Sequence, residues 1–195
     1  MTDVKQQLSE TQVLMWEYFL PRKLIDLFYA TNNEHGEKIE RIFIDIDRQE
    51  MTSQQAQKVA DALVKIIQKD KKLSDLIDFR LLTLWTGSSF HIYLMLAKPI
   101  NHQIYDEYFS YGEKKPESFV SKRAQAITQA TGIQVNAAHA RKEGMIILDT
   151  SNTPPGKLAR VPFSLHMKDF KTIDGICIPL TIEELEDKSL ISRVK

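Results

Sequence analysis

The chain of 195 residues carries 26 Lys and Arg against 26 Asp and Glu. That formal charge of zero excludes coating of nucleic acid by global charge alone, though not a local basic groove. With 43% hydrophobic and 27% charged residues and no repeat or low-complexity tract, it reads as a folded globular protein, one domain over residues 1–195. The single cysteine, Cys177, excludes an internal disulfide or a cysteine-built zinc knuckle, and it is read as a small core residue between Ile176 and Ile178.

The longest apolar runs, near 81–85 and 92–97, fall far short of the roughly 20 residues a membrane span needs. The polar start "MTDVKQQLSE" does not resemble a signal peptide. The expectation is therefore an intracellular, cytoplasmic protein with no membrane partner, associated with a nucleoid or plasmid if its source is prokaryotic.

In chain order, residues from about Ser9 to Tyr29 carry large apolar side chains at helical spacing, with Pro21 breaking or kinking the run, within an N-terminal helical segment over about 1–38. A polar turn leads into the strand "RIFIDID", Arg41–Asp47, which opens an α+β core over about 39–195. Next, "TSQQAQKVADALVKIIQK" places Ala56, Val59, Ala60, Leu63, Ile66 and Ile67 on one helical face, with Thr52 and Gln55 as a capping box. Two strands, roughly Phe79–Trp85 and Ser89–Ala97, follow as a hairpin about "TGS". A mainly helical stretch then runs from about Gln103 to Thr131, interrupted near "GEKKP" and closed at Gly132. After it come "IQVNAA", the strand "GMIILD", a turn at "TPPGK", an extended run "LARVPFSLHMK", a strand "GICIPL" and a short helix capped by Thr181 and Glu184. Mixed elements with prominent hairpins imply the α+β class with a mixed, largely antiparallel sheet.

Alternate side chains of a strand share a face, so Ile42, Ile44 and Ile46 point one way and Phe43, Asp45 and Asp47 the other. Two unit charges about 4 Å apart repel by roughly 4 kcal/mol at an effective dielectric near 20. A divalent cation would offset that repulsion, and carboxylates are the hard oxygen ligands Mg²⁺ or Mn²⁺ prefers. Asp149 ends a second hydrophobic strand as Asp45 ends the first, which offers a third acid.

If "RVPFSLHMK" is extended, Arg160, Pro162, Ser164, His166 and Lys168 line one face. An amphipathic edge strand would alternate in the same way, and Pro162 fits an edge. The surrounding segment 151–173 carries Lys157, Arg160, Lys168 and Lys171 against Asp169 alone, so positive charge gathers there. In "SSFHIYL", Ser89 and His91 share a face, where a hydroxyl and an imidazole could together bind phosphate oxygens. His35, His102 and His139 fall in loops or at helix ends and are read as surface residues.

The ordered set "FIDID", "GSSFH", "ILD" and "RVPFSLHMK" resembles the archaeo-eukaryotic primase superfamily over about Ile42–Lys168. That superfamily includes the small catalytic subunit of primases and the stand-alone primase-polymerases. The resemblance implies a primase-like catalytic core with an RRM-like lobe flanked by helices. It implies that Asp45, Asp47 and Asp149 hold two Mg²⁺ or Mn²⁺ ions. It also implies that Ser89, His91, Arg160, Ser164, His166 and Lys168 bind the nucleotide. The chain departs from the pattern in having no cysteine set for a zinc insertion and in reading "TGSSFH" where many members are richer in glycine. It is also short, as for a minimal core or an excised domain.

The implied activity is template-dependent nucleotide transfer, as DNA primase or DNA polymerase, using nucleoside triphosphates and single-stranded or primed DNA. A larger primase subunit, a helicase or an additional domain would be its partner. Two other readings stand beside it: a non-catalytic primase-like accessory module that binds nucleic acid, and a phosphatase of the haloacid dehalogenase type. For the phosphatase, Arg48 and Gln49 after Asp47 depart from the expected pattern.

Overall fold

A computed structural model describes residues 28–33, 36–111, 115–140, 142–167 and 172–195. Most of the expected N-terminal helix, together with His35 and Lys168, lies outside the described residues. Its last residues are strand rather than helix: Phe28–Ala30 forms β1.

The body of the fold is a six-stranded sheet. Its strands are β2 (Lys38–Asp47), β3 (Phe79–Trp85), β4 (Phe90–Asn101), β5 (Val135–Ala137), β6 (Ile146–Asp149) and β10 (Ile178–Leu180), in the order β10-β3-β4-β2-β6-β5. Every neighbouring pair is antiparallel except β5 and β6, so the sheet is mixed and largely antiparallel. Two ribbons complete the described strands: β1 with β7 (Leu158–Arg160), and β8 (Leu165–Met167) with β9 (Ile173–Ile176).

One face of the sheet is covered by helices. Helix α1 (Ser53–Lys69) starts at the Thr52/Gln55 capping box and buries Ala56, Val59, Ala60, Leu63, Val64 and Ile67. These pack with Ile42, Ile44 and Ile46 of β2 and with Phe90, Ile92 and Leu94 of β4. A short helix α2 (Lys71–Leu76) follows, and α3 (Phe119–Thr131) adds Val120, Ala124 and Ile127 to the same core. Each fully buried Val, Leu, Ile or Phe among them contributes about 1.5–3 kcal/mol. Helix α3 ends where Gly132 takes φ +70, the left-handed cap that glycine adopts without a Cβ penalty. Helix α4 (Ile182–Glu186) carries the expected Thr181/Glu184 capping box, and α5 (Leu190–Val194) closes the chain. Among the described residues no helix is long and apolar enough to cross a membrane.

The opposite face carries a small cluster of Phe43, Leu84, Tyr93, Ala159 and Cys177. Cys177 is fully buried, and burial pushes its thiol up to about 11. It also divides "GICIPL", expected as one strand, into β9 of a ribbon and β10 of the main sheet.

Side chains take over where strand pairing stops. β2 shifts register between Ile39 and Arg41, and Asn32 fills the gap. Its Oδ1 accepts from the backbone N–H of Glu40 (2.7 Å) and Arg41 (3.0 Å), and its Nδ2 donates to the carbonyls of Arg41 and Thr153. Thr153 Oγ1 accepts from Phe43 N (2.9 Å) and donates to Phe43 O (3.1 Å), doing for β2 what a neighbouring strand would do. The segment after Asp149 is thereby stitched to β2.

Candidate active site

Because strand residues alternate, the isoleucines of β2 face the helices and Asp45 and Asp47 face away from them. On one side Asp45 pairs in register with His91 of β4, and on the other with Asp149 of β6. Three strands thus set Asp149, Asp45 and His91 in one row across the sheet, with Asp47 two residues further along β2. Asp45 is half-buried. Burial, then the charges of Asp47 and Asp149, push its carboxyl up to about 8 against the smaller opposing effect of Arg160.

His91 is buried, with its ring edge-to-face on Phe43 at 4.8 Å and its Nε2 3.5 Å from Asp45 Oδ1. Burial, then the positive charges of Arg160 and His166, push it down to about 3, so the imidazole is neutral at ordinary pH. Its Nδ1 is buried with no hydrogen-bond partner among the described residues.

Asp149 is held by groups that the sequence reading did not assign to the site. Its Oδ1 accepts from the Tyr111 hydroxyl (2.6 Å) and from Ser151 N (2.7 Å), and its Oδ2 lies 2.7 Å from His139 Nδ1. Burial, then the bond to Asp149, raise the Tyr111 phenol. His139, read as a surface residue, has an exposed side chain but is bonded to Asp149 and lines the cleft. The short run "VNA" before it pairs parallel to β6, with Ala137 opposite Leu148, and that tertiary pairing brings His139 beside the acid end of "IILD". No local sequence signal marks either Tyr111 or His139.

Asp45 and Asp47 open onto a cleft of about 540 Å³ whose other walls include Ser89, His91, His139, Lys157, Arg160 and His166, while Asp149 adjoins it through His139 and is not part of its lining. Arg160 is buried. Its Nη1 donates to Leu165 O (2.8 Å), and its guanidinium carbon sits 5.3 Å from the centre of the Phe28 ring. His166 Nδ1 lies 3.3 Å from Asp174 Oδ2. The β8–β9 ribbon reaches the cleft through a backbone-to-backbone contact: a Cβ on Gly175 would sit 2.5 Å from Gly87 Cα, and one on Gly87 (φ +99) 2.7 Å from His166 Cβ. Glycine at both places lets the β3–β4 turn and the ribbon touch.

Two expectations need correction. The run from Leu158 is not one extended strand with a polar face. It is β7, a turn over 161–164 with Phe163 at φ +67, and then β8, and these two strands belong to different ribbons. Ser164 is accordingly buried in that turn, donating to Val161 O (2.7 Å), and is absent from the cleft wall. Ser89 does line the cleft, but its hydroxyl donates to Ile46 O and is already committed to β2. A larger cavity, about 830 Å³, lies between α2 and the start of α3, and it shares no lining residue with the acidic cleft.

Among the described residues no three His, Cys, Asp or Glu side chains are gathered closely enough to chelate an ion, and the Asp149 carboxylate is turned to Tyr111, Ser151 and His139. The donor chemistry still suits a hard divalent cation. All three acids offer oxygen, and their mutual repulsion, expressed at Asp45, is what a cation neutralises.

With this geometry in place, the fold can be set beside that of a solved polymerase domain. The chain is similar to the polymerase domain of Mycobacterium tuberculosis Ligase D, solved in complex with DNA, at 21% identity and a TM-score of 0.55 over 85% of this chain and 53% of that one. It therefore spans about half the length of that structure. No protein-family model matches the sequence, and no curated protein does.

Proposed function

We propose that this chain is a template-dependent nucleotidyltransferase that joins the α-phosphate of a nucleoside triphosphate to a strand's 3′-hydroxyl and releases pyrophosphate. The carrying observation is the register of Asp45 with Asp149 on adjacent strands, at the edge of a cleft that Asp45, Asp47 and Arg160 line. The likeness to a polymerase domain solved with DNA supports this reading.

Asp45, Asp47 and Asp149 would hold two Mg²⁺ or Mn²⁺ ions. When bound, these would acidify the 3′-hydroxyl and draw charge from the triphosphate. Arg160 neutralises the triphosphate from a position fixed by Phe28 and Leu165 O. His91 stays uncharged beside Asp45 and can offer one N–H to a phosphate oxygen. His166 approaches from the ribbon, and Lys168 belongs to the same segment of sequence. With no covalent intermediate on the protein, catalysis is positioning plus charge stabilisation. Template is held through its backbone, and a larger subunit or helicase would deliver it.

The test is extension of a primed DNA template with Mn²⁺ and nucleoside triphosphates. Parent protein is expected to extend and Asp45→Ala/Asp47→Ala to lose extension; equal extension by both would sink the assignment. Calorimetric titration with Mn²⁺ and triphosphate separates an accessory module, which need bind neither. Hydrolysis of a generic phosphate ester would indicate the phosphatase reading.

A further inference from the structure

Phe163 sits in the turn between β7 and β8, in the chain between Arg160 and His166 of the cleft wall, with its ring in solvent. It is 74% exposed, more than any other large hydrophobic residue described. Its φ of +67 lies in the left-handed region that a bulky aromatic residue rarely occupies. Exposure of the ring and strain of the backbone are each unfavourable, and together they call for a use.

The surroundings hold this conformation from several directions. Phe163 N donates to Cys177 O (2.7 Å), and Cys177 N donates to Ser164 O (2.9 Å). Ser164 donates to Val161 O through both its backbone N (3.2 Å) and its hydroxyl (2.7 Å). Arg160 spans the base of the turn to Leu165 O. The turn is thus a rigid mount, and its two feet, Arg160 and His166, line the acidic cleft together with exposed Lys157. Phe163 forms no part of the cleft lining, so its ring is not in the pocket.

We propose that Phe163 is a stacking platform for a nucleobase of the nucleic-acid strand that crosses the mouth of the cleft, with Lys157 receiving a neighbouring backbone phosphate. An aromatic face beside a basic groove is the pairing that holds single strands without reading their sequence. The position outside the lining selects a strand base over the incoming nucleotide. The charge of segment 151–173, four basic residues against one acid, selects nucleic acid over a protein partner. The inference rests on the proposed function only in taking nucleic acid as the ligand.

The experiment uses the full chain with Phe163→Gly, which suits the left-handed backbone and removes the ring, and Phe163→Tyr, which keeps it. Each is titrated in EDTA, without triphosphate, against a labelled single-stranded oligodeoxynucleotide carrying 2-aminopurine at successive positions. Phe163→Gly is expected to weaken strand binding roughly five- to hundredfold, while melting near the parental temperature. Phe163→Tyr is expected to bind as the parent does. Quenching of 2-aminopurine at one position should appear with parent and Phe163→Tyr and vanish with Phe163→Gly.

The platform is overturned if the parent quenches at no position, or if Phe163→Gly binds the strand as tightly as the parent. It is overturned equally if Phe163→Gly weakens only triphosphate binding. A change confined to self-association in sedimentation would overturn it too, and would make Phe163 with exposed Ile173 and Ile176 a protein-docking face. Because the assay needs neither metal nor turnover, a protein that extends no primer yet shows Phe163-dependent quenching loses the polymerase reading and keeps the platform. Extension together with Phe163-independent binding removes the platform alone.

Discussion

Asp45 and Asp149 are direct cross-strand partners on β2 and β6, so their carboxylates are juxtaposed by backbone pairing rather than by flexible loops. Like charges directly opposite destabilise a strand pair, and the chain tolerates this at a half-buried position.

The first consequence concerns Asp45→Asn. In EDTA above about pH 8, where Asp45 is ionised, this variant is expected to melt above the parent by about 2–4 °C, as when roughly 1 kcal/mol of repulsion is relieved in a chain of this size. Mn²⁺ should raise the melting temperature of the parent and leave that of Asp45→Asn nearly unchanged. Paired thermal scans with and without Mn²⁺ check both, and a variant that melts below the parent in EDTA contradicts the electrostatic account.

The pH dependence of the metal-free protein has a definite sign. Asp45 is raised from 3.8 to about 8, so between those values the folded state binds more protons than the unfolded one, and its contribution falls as pH rises. His91 is lowered from 6.5 to about 3, so its contribution rises with pH between those values and is complete above 6.5. The two oppose each other between 3.8 and 6.5, and from 6.5 to about 8 Asp45 acts alone. Stability is expected to decline with pH in that upper window, and Asp45→Asn should flatten the decline. Denaturant melts in EDTA across pH 6–9 read this directly.

Gly175→Ala should cost about 1–3 kcal/mol, because its Cβ would meet Gly87 Cα at 2.5 Å and Gly87 O at 2.7 Å and the contact is backbone on backbone. The ribbon carrying His166 must then move off the β3–β4 turn. KM for the triphosphate is expected to rise more than kcat falls. A urea titration gives the stability change, and extension kinetics separate the two constants.

Thr153→Val tests the side chain that substitutes for a strand. It leaves Phe43 N and Phe43 O buried without their partner, at about 1–3 kcal/mol for each group. A total loss of about 2–4 kcal/mol in denaturant unfolding is expected. A loss below about 0.5 kcal/mol would mean that β2 does not depend on this stitch.

Much of this arrangement was legible in the sequence because it follows local rules. The period-two pattern of 42–47 fixed which side chains of β2 face the helices. The Thr52/Gln55 box opened α1, and Gly132 closed α3. What escaped is set by contacts between distant segments. Nothing local says that Asp149 falls opposite Asp45 rather than one residue along, or that Tyr111 and His139 meet its carboxylate. The run after Leu158 satisfied the alternation of a strand, yet hydrogen bonds to Cys177 and the Gly87–Gly175 contact turn it at Phe163. That turn buries Ser164 against Val161 O. Tertiary pairing overrode a pattern that was locally sound.

The two faces of the central strands obey a parity that an engineer could exploit. Beyond the register shift in β2, and along β4, the residues packed against the helices, 42, 44, 46, 90, 92 and 94, are even-numbered, while 43, 45, 47, 91 and 93 look toward the cleft side. Hardening the domain against heat and retuning its chemistry are therefore separate projects on the same strands, one written in even positions and the other in odd.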